Sequence, residues 1–276
     1  MPELPEVETV RRRLEPVLVG RRIEAAAIVD ERLTRPEPSG AVAAALVGRR
    51  VESVGRRGKY LLVGLDDELV LVVHLRMTGS FGHWPDRAPA DPHVRATLAL
   101  DDGCEVTYRD VRRFGTWLLL DAADVEPYLA ERLGPEPLGR AFGPRALARA
   151  LDGRRTAVKA ALLDQRSVAG VGNIYADEAL WRARIHPLTR AGALAAPDVA
   201  RLQRAVRAAL ETGIRRQGAT LRDYRDPSGA AGSMQDEFRV YGREGEPCPR
   251  CGAPIAKIRV AGRGTWFCPV CQERRA

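Results

Sequence analysis

Apolar residues recur at Leu4, Val7, Val10, Leu14, Val17 and Leu18, close to the spacing of a helix with one buried face. Pro5 suits the first helical position, Glu6 and Glu8 suit the positive end of the helix dipole, and Gly20 suits the stop. The spacing predicts a helix over residues 4–19, with Pro2 and Glu3 just ahead of its N-terminus. From about 21 to 121 the pattern changes to short β-rich runs: IEAAAIVD, RVESV, KYLLVGL, LVLVVHL, ATLAL, CEVTY and TWLLL. Asp66-Asp67 and Asp101-Asp102-Gly103 look like hairpin turns. This stretch predicts a β-sandwich or barrel carrying one N-terminal helix, with the Pro-rich residues 83–92 as a loop. From about 135 the pattern turns helical, with candidates PRALARAL, TAVKAALLDQ, NIYADEALWRARI and PDVARLQRAVRAALETGI. Val168-Ala169-Gly170-Val171-Gly172 makes a tight turn between the second and third. Residues 217–236 are rich in Gly, Ser and Asp without periodicity, and a loop that long is functional or mobile. Beyond it, strand-like alternation returns.

The net charge of +8 changes this picture by suggesting a polyanionic partner, although on charge alone colloidal solubility explains it equally well. Of the 44 basic residues only Lys59, Lys159 and Lys257 are lysine. Each is worth inspecting, because Lys can give up its proton at neutral pH and Arg cannot. No uninterrupted apolar stretch is long enough to span a membrane, and the N-terminus lacks the pattern of a signal peptide, so a cytoplasmic protein is expected.

Cys248, Cys251, Cys268 and Cys271 have the spacing C-x2-C-x16-C-x2-C. Two such knuckles complete a tetrahedron around one zinc ion, and four protein ligands make the site structural. The alternative, two disulfides, is disfavoured in a reducing compartment. Cys104 stands alone and reads as core. Between the knuckles, Lys257–Thr265 reads as strand, glycine turn and strand with Arg263 at the tip, where it either meets a phosphate or is simply solvated. Arg112-Arg113-Phe114-Gly115 pairs guanidiniums with an aromatic, which suits nucleic acid, although a Phe in a β-rich region is more often core. Met77 is a wedge or core filler, and Lys59 a solvated edge residue or an active-site group. Gly170–Asn173 offers a helix-start anion site or an ordinary cap. His74, His83, His93 and His186 show no metal-ligand spacing, and no nucleotide-binding or serine-hydrolase fingerprint is present.

Taken together, PELPEVETV at the start, GRRGKYLL, HLRMTGSF, RRFG, LGPEPL, GVGNIYADEALWRARIHP and VYGR with the Cys module resemble the formamidopyrimidine-DNA glycosylase family over nearly the whole chain. The resemblance implies an α+β multidomain fold. Residues 1–134 would form an N-terminal β-sandwich with a helix, 135–235 a helix–two-turn–helix domain, and 236–276 a zinc-finger hairpin, with DNA between the lobes. It implies a base-excision-repair enzyme removing oxidised purines, with Pro2 as the nucleophile once Met1 is removed, Glu3 as proton donor, Lys59 assisting β-elimination and Arg263 assisting δ-elimination. A helix N-terminus favours the carboxylate, so Glu3 needs desolvation to keep a proton. His93, Arg112, Arg154 and Asn173 match DNA-backbone contacts, Lys159 would lie near the lesion, and Met77, Arg112 and Phe114 would fill the gap left by a flipped nucleotide. Residues 217–236 match the loop over the flipped base.

The expected partners are one structural zinc and double-stranded damaged DNA. The protein would act as a monomer, away from membranes, in the bacterial cytoplasm at the nucleoid. Arg76 stands where Gly is common, Val111 where Pro is common, and Ser233-Met234 replaces an aromatic-containing version of the loop. Two alternatives remain: an endonuclease VIII-like enzyme acting on oxidised pyrimidines, and a zinc-bearing DNA-binding protein without catalysis. The former class typically begins Pro-Glu-Gly-Pro, whereas this chain has Leu4.

Overall fold

The computed structural model describes residues 1–221 and 224–274; Arg222 and Asp223, inside the aperiodic 217–236 segment, and the last two residues lie outside them. The chain divides into two compact units, one of residues 1–129 with 216–233, the other of residues 130–215 with 234–276.

The first unit begins with helix α1 (Leu4–Leu18), whose Val7, Val10, Leu14 and Leu18 face the core as the spacing predicts. Gly20, with φ 85°, ends it in the left-handed region. The strands are β1 (Ile23–Ile28), β2 (Val51–Arg57), β3 (Tyr60–Leu65), β4 (Leu69–His74), β5 (Ser80–Trp84), β6 (Val94–Leu100), β7 (Glu105–Arg109) and β8 (Thr116–Asp121). They pair antiparallel in two four-stranded sheets, β1-β6-β7-β5 and β2-β3-β4-β8. Inward residues of both, among them Ile23, Leu98 and Val106 from one and Leu61, Leu71 and Trp117 from the other, share one apolar core with α1. This is the expected β-sandwich.

Three details differ from the sequence reading. His83 and Trp84 belong to β5, so the Pro-rich loop starts later than residue 83. Two short helices were not expected: α2 (Ser39–Leu46) interrupts the β-rich stretch, and α3 (Ala122–Ala130) directly follows its last strand. In α2 the buried Val42, Ala43 and Leu46 alternate with Gly and Ala rather than polar residues, which erases the apolar–polar contrast. α3 buries only Leu129 and carries Pro127. Cys104 is half-buried against the core, not inside it.

The second unit contains α4 (Pro144–Leu151), α5 (Val158–Leu163), α6 (Asn173–Ala183) and α7 (Ala196–Arg215), all at the expected positions. α6 is buried almost all round, from Ile174 to Trp181, and α7 packs Val199, Leu202, Val206 and Leu210 inward. A two-stranded hairpin, β9 (Ala256–Val260) and β10 (Arg263–Phe267), completes the unit. Its tip is Ala261-Gly262, both with positive φ, as a two-residue turn between twisted strands requires.

Candidate active site and nucleic-acid interface

In the first unit, Met1 is exposed while Pro2 and Glu3 are buried. Glu3 is the N-cap of α1: its carboxylate accepts the Glu6 N–H while Glu6 Oε2 accepts the Glu3 N–H at 2.8 Å. The other Glu6 oxygen accepts the Ala219 N–H at 2.8 Å, and the Tyr224 hydroxyl donates to the Glu6 carbonyl at 3.3 Å. One buried carboxylate thus ties the start of α1 to the 217–236 segment. Arg13 and Asp226 repeat that link at 2.9 Å, and the His83 N–H donates to the Pro227 carbonyl at 2.9 Å.

α1 is fixed to β2 by Glu8, which receives Arg11, Arg12 and Arg56; the Arg56 Nε lies 3.1 Å from Glu8 Oε2. Arg56 also donates to the Gly58 carbonyl at 2.9 Å, in the turn between β2 and β3. Lys59 occupies the next position and is only 4% exposed. A solvated edge lysine is therefore excluded, and the turn holding Lys59 is tied to the first turns of α1. Opposite it, at the end of β4, His74 is buried and packs edge-on against Tyr60 at 4.7 Å. Burial, reinforced by the Arg76 and Lys59 cations, holds its pKa down to about 3, so the ring is neutral at physiological pH. Its Nδ1 accepts the Arg76 N–H at 3.0 Å.

Past β4 and β7, the residues expected to meet DNA are at the surface. Phe114 is 52% exposed, which overturns a core role, and the Arg112 guanidinium lies over its ring at 4.8 Å. Arg113 between them has φ 58° and turns inward, donating to both Asp30 oxygens at 2.6 and 2.8 Å. Met77 is half-buried in the turn after β4, outside the core cluster. His93 is half-buried in the loop before β6.

In the second unit the expectation for Lys159 needs correction. It is fully buried, its Nζ 2.8 Å from Asp177 Oδ1 with both side chains at or below 1% exposure. The ammonium also donates to Thr265 Oγ1 at 2.7 Å and to the Gly264 carbonyl at 3.0 Å. These three partners lie in its own unit, and with no exposed surface the ammonium is an interior group, not a surface one. It braces the hairpin. Asn173, first residue of α6, donates to the same Gly264 carbonyl at 3.0 Å, and Asp177 accepts the Trp266 N–H at 3.1 Å. Burial pushes the Asp177 carboxyl up to about 7, against the pull of Lys159. Neighbouring Glu178, also buried, accepts the Arg239, Val240 and Tyr241 N–H groups.

The bracing ends beside Arg263, which is exposed. It opens β10 opposite Val260, one residue past the tip where the sequence reading placed it. Gly172 caps α6 without a side-chain hydrogen bond of its own. Arg154 is half-exposed and donates to Asp164 at 2.8 Å.

The four paired Cys converge: their Sγ atoms lie within 4.8 Å of one another, with Cys251–Cys268 at 3.4 Å and Cys248–Cys271 at 4.0 Å. Tetrahedral zinc with Zn–S near about 2.3 Å sets sulfurs about 3.8 Å apart, so the cage fits, while a disulfide demands about 2.05 Å. The Trp181 Nε1–H donates to Cys248 Sγ at 3.5 Å, Arg250 lies over the Trp181 ring at 4.0 Å, and buried Gln272 bridges the Cys268 N–H and the Ile185 carbonyl. The module is therefore docked on α6.

The buried polar roles of Glu6, His74, Asp177 and Glu178 do not follow from the sequence pattern. Glu6 carried one signal, its place three residues after the N-cap. The others sit inside apolar or mixed runs that give no sign of a buried polar role.

Three family models match the chain: the formamidopyrimidine-DNA glycosylase N-terminal domain over residues 1–117, its H2TH domain over 133–225, and a zinc finger found in FPG and IleRS over 245–274. Formamidopyrimidine-DNA glycosylase of Herpetosiphon aurantiacus is 48% identical over 273 residues, covering 99% of this chain and 100% of that one. The Streptococcus pyogenes enzyme is 45% identical over 276 residues, covering 100% of both. A Lactococcus lactis FPG variant bound to a Fapy-dG-containing DNA superposes with a TM-score of 0.93 at 41% identity, covering 99% of this chain and 100% of that one. The Lactococcus lactis Fpg complex with an abasic-site DNA gives 0.92 at 40% identity, with the same coverage.

Proposed function

The chain belongs to the formamidopyrimidine-DNA glycosylase family, and from that premise we propose that the buried start of α1 is its catalytic centre. The protein is a bifunctional DNA glycosylase and abasic-site lyase of base excision repair that removes oxidised purines, 8-oxoguanine and formamidopyrimidines among them. Its partner is damaged duplex DNA. The observation that carries the catalytic assignment is the placement of Pro2 and Glu3 at the buried head of a helix whose anchors lead to buried Lys59.

Removal of Met1 turns the Pro2 nitrogen from an amide into a secondary amine. An α-amino group titrates near about 8, so part of it is unprotonated and nucleophilic at neutral pH. It attacks C1′ of the damaged nucleotide and the base leaves. Glu3 gives a proton to the sugar ring oxygen as the C1′–O bond opens, leaving a cationic iminium between Pro2 and C1′. The iminium acidifies C2′. Loss of that proton expels the 3′ phosphate, assisted by Lys59, and a second elimination expels the 5′ phosphate, assisted by Arg263.

Cys248, Cys251, Cys268 and Cys271 hold one structural zinc, which supplies folding energy to the module and takes no part in the chemistry. His93, Arg112, Arg154 and Asn173 make the backbone contacts, and Met77, Arg112 and Phe114 fill the gap. We read the protein as a monomer working in the bacterial cytoplasm at the nucleoid, since one chain carries all three family regions. No helix among the described residues is long and apolar enough to cross a membrane.

Nicking of matched duplexes carrying either 8-oxoguanine or an oxidised pyrimidine tests this reading. Faster cleavage of the purine lesion is expected. Preference for the pyrimidine would move the protein to the endonuclease VIII-like class, and no nicking of either would leave only a DNA-binding protein.

A further inference from the structure

Met77, Arg112 and Phe114 sit on two separate loops, and one buried carboxylate joins them. Asp110, at the end of β7, is 1% exposed. Its Oδ1 accepts the Thr78 hydroxyl at 2.5 Å, and the Thr78 oxygen accepts the Arg112 N–H at 3.0 Å. Its Oδ2 accepts the Gly115 N–H at 2.7 Å. The backbone of the same residue reaches the third loop: its N–H donates to the His93 carbonyl at 2.9 Å, and its carbonyl accepts Arg95 Nε at 3.1 Å. Beneath the junction, a Cβ at Gly79 would lie 2.3 Å from the Tyr108 hydroxyl and one at Gly115 1.9 Å from it. Both loops are thus seated on one fully buried tyrosine. With Arg113 turned inward to Asp30, Arg112 and Phe114 remain stacked outside.

We propose that Asp110 is a positioning residue of the lesion-extrusion step: it sets the register between the Met77 turn and the Arg112–Phe114 loop, so that all three side chains enter the gap as one wedge. The inference rests on the gap-filling role given to those three residues above. The carboxylate accepts from both the Thr78 hydroxyl and the Gly115 N–H. An amide of the same shape keeps the Gly115 bond only by turning its N–H group to the Thr78 oxygen, which reverses that bond, removes its charge assistance and leaves the hydroxyl proton without its acceptor. A wedge whose halves move independently offsets less of the few kcal/mol needed to unstack a base.

The test compares Asp110→Asn with the parental enzyme on two duplexes, one carrying 8-oxoguanine opposite cytosine and one carrying an abasic site, which has no base to unstack. Cleavage of the 8-oxoguanine duplex should fall by about tenfold or more relative to cleavage of the abasic duplex. A purely structural defect lowers the folded fraction and reduces both rates by one factor. Thr78→Val, which removes the hydroxyl bridge, should show the same selective loss, and Thr78→Ser should restore parental selectivity. If Asp110→Asn fails to fold, the Thr78 pair decides alone. Equal losses on both duplexes, no loss, or a Thr78→Ser as defective as Thr78→Val would overturn the proposal. Failure of the parental enzyme to cut 8-oxoguanine would instead overturn the function itself.

Discussion

Replacing Lys159 by Met separates an interior brace from a DNA contact. The ammonium lies 2.8 Å from Asp177 with neither partner exposed, and it also serves Gly264 and Thr265. Removing one partner of a buried pair costs about 3–5 kcal/mol. Here the loss falls toward the lower end. Burial already holds the Asp177 carboxyl near about 7 with the cation present, so without it Asp177 takes up a proton at neutral pH and sheds its uncompensated charge. The expected cost is about 3 kcal/mol, a large part of the 5–15 kcal/mol or so that holds a typical domain together. Urea denaturation of the zinc-saturated chain at neutral pH measures it. Lys159→Met with Asp177→Leu should recover most of the loss, because no lone charge remains. The DNA-binding assay gives the opposite signature. A phosphate-contacting lysine contributes about one to the slope of log K against log salt, so an interior brace leaves that slope unchanged. A variant within about 1 kcal/mol of the parental stability, with the slope reduced by about one, would refute the interior assignment.

Phe114→Ala and Arg112→Ala should each slow cleavage of 8-oxoguanine duplex by about tenfold or more while leaving the melting temperature close to parental, since both side chains are exposed; parental rates would remove the wedge from the mechanism. Chelating the zinc should melt the Cys module and cost DNA binding, and metal analysis of freshly purified protein should find one zinc per chain; none would contradict the site. His74 carries a pH signature. Burial holds the folded ring to about 3, so between that value and about 6.5 the unfolded chain binds a proton that the folded chain does not. Stability therefore falls as pH drops below about 6.5, and between pH 7 and 5 this residue accounts for about 2 kcal/mol of the loss. His74→Gln should flatten the urea-denaturation profile by that amount; an unchanged profile would mean that His74 titrates normally.

Much of this architecture was legible in the sequence because its signals are local. The α1 stripe, the period-two strands and the four later helices each state their own geometry, and the Cys spacing states a tetrahedron. The failures share a cause. α2 has Gly and Ala where a polar face would mark a helix, and α3 buries too little to show a period. The burial of Lys159 is not legible because a lone lysine in an amphipathic run gives no sign of the aspartate eighteen residues away that neutralises it; only tertiary contact shows that Asp177 and Thr265 close over it. For Phe114 local pattern and family resemblance pointed to different places, and only the resemblance placed it outside the core. An aromatic in a β-rich stretch is core by default, and its exposure depends on Arg113 adopting a left-handed turn. The roles of Glu6 and Asp110 depend on loops that meet only in the folded chain.

Borohydride trapping on a duplex carrying 8-oxoguanine tests the central claim most directly. Reduction converts the iminium into a stable amine and links enzyme to DNA. The mechanism predicts a single linked peptide that begins at Pro2, with Met1 absent, and no trapping when Met1 is retained or a tag precedes Pro2, because the nitrogen is then an amide. A link on Lys59, the competing buried amine, or no trapping by an enzyme that still cuts the lesion strand, would contradict it.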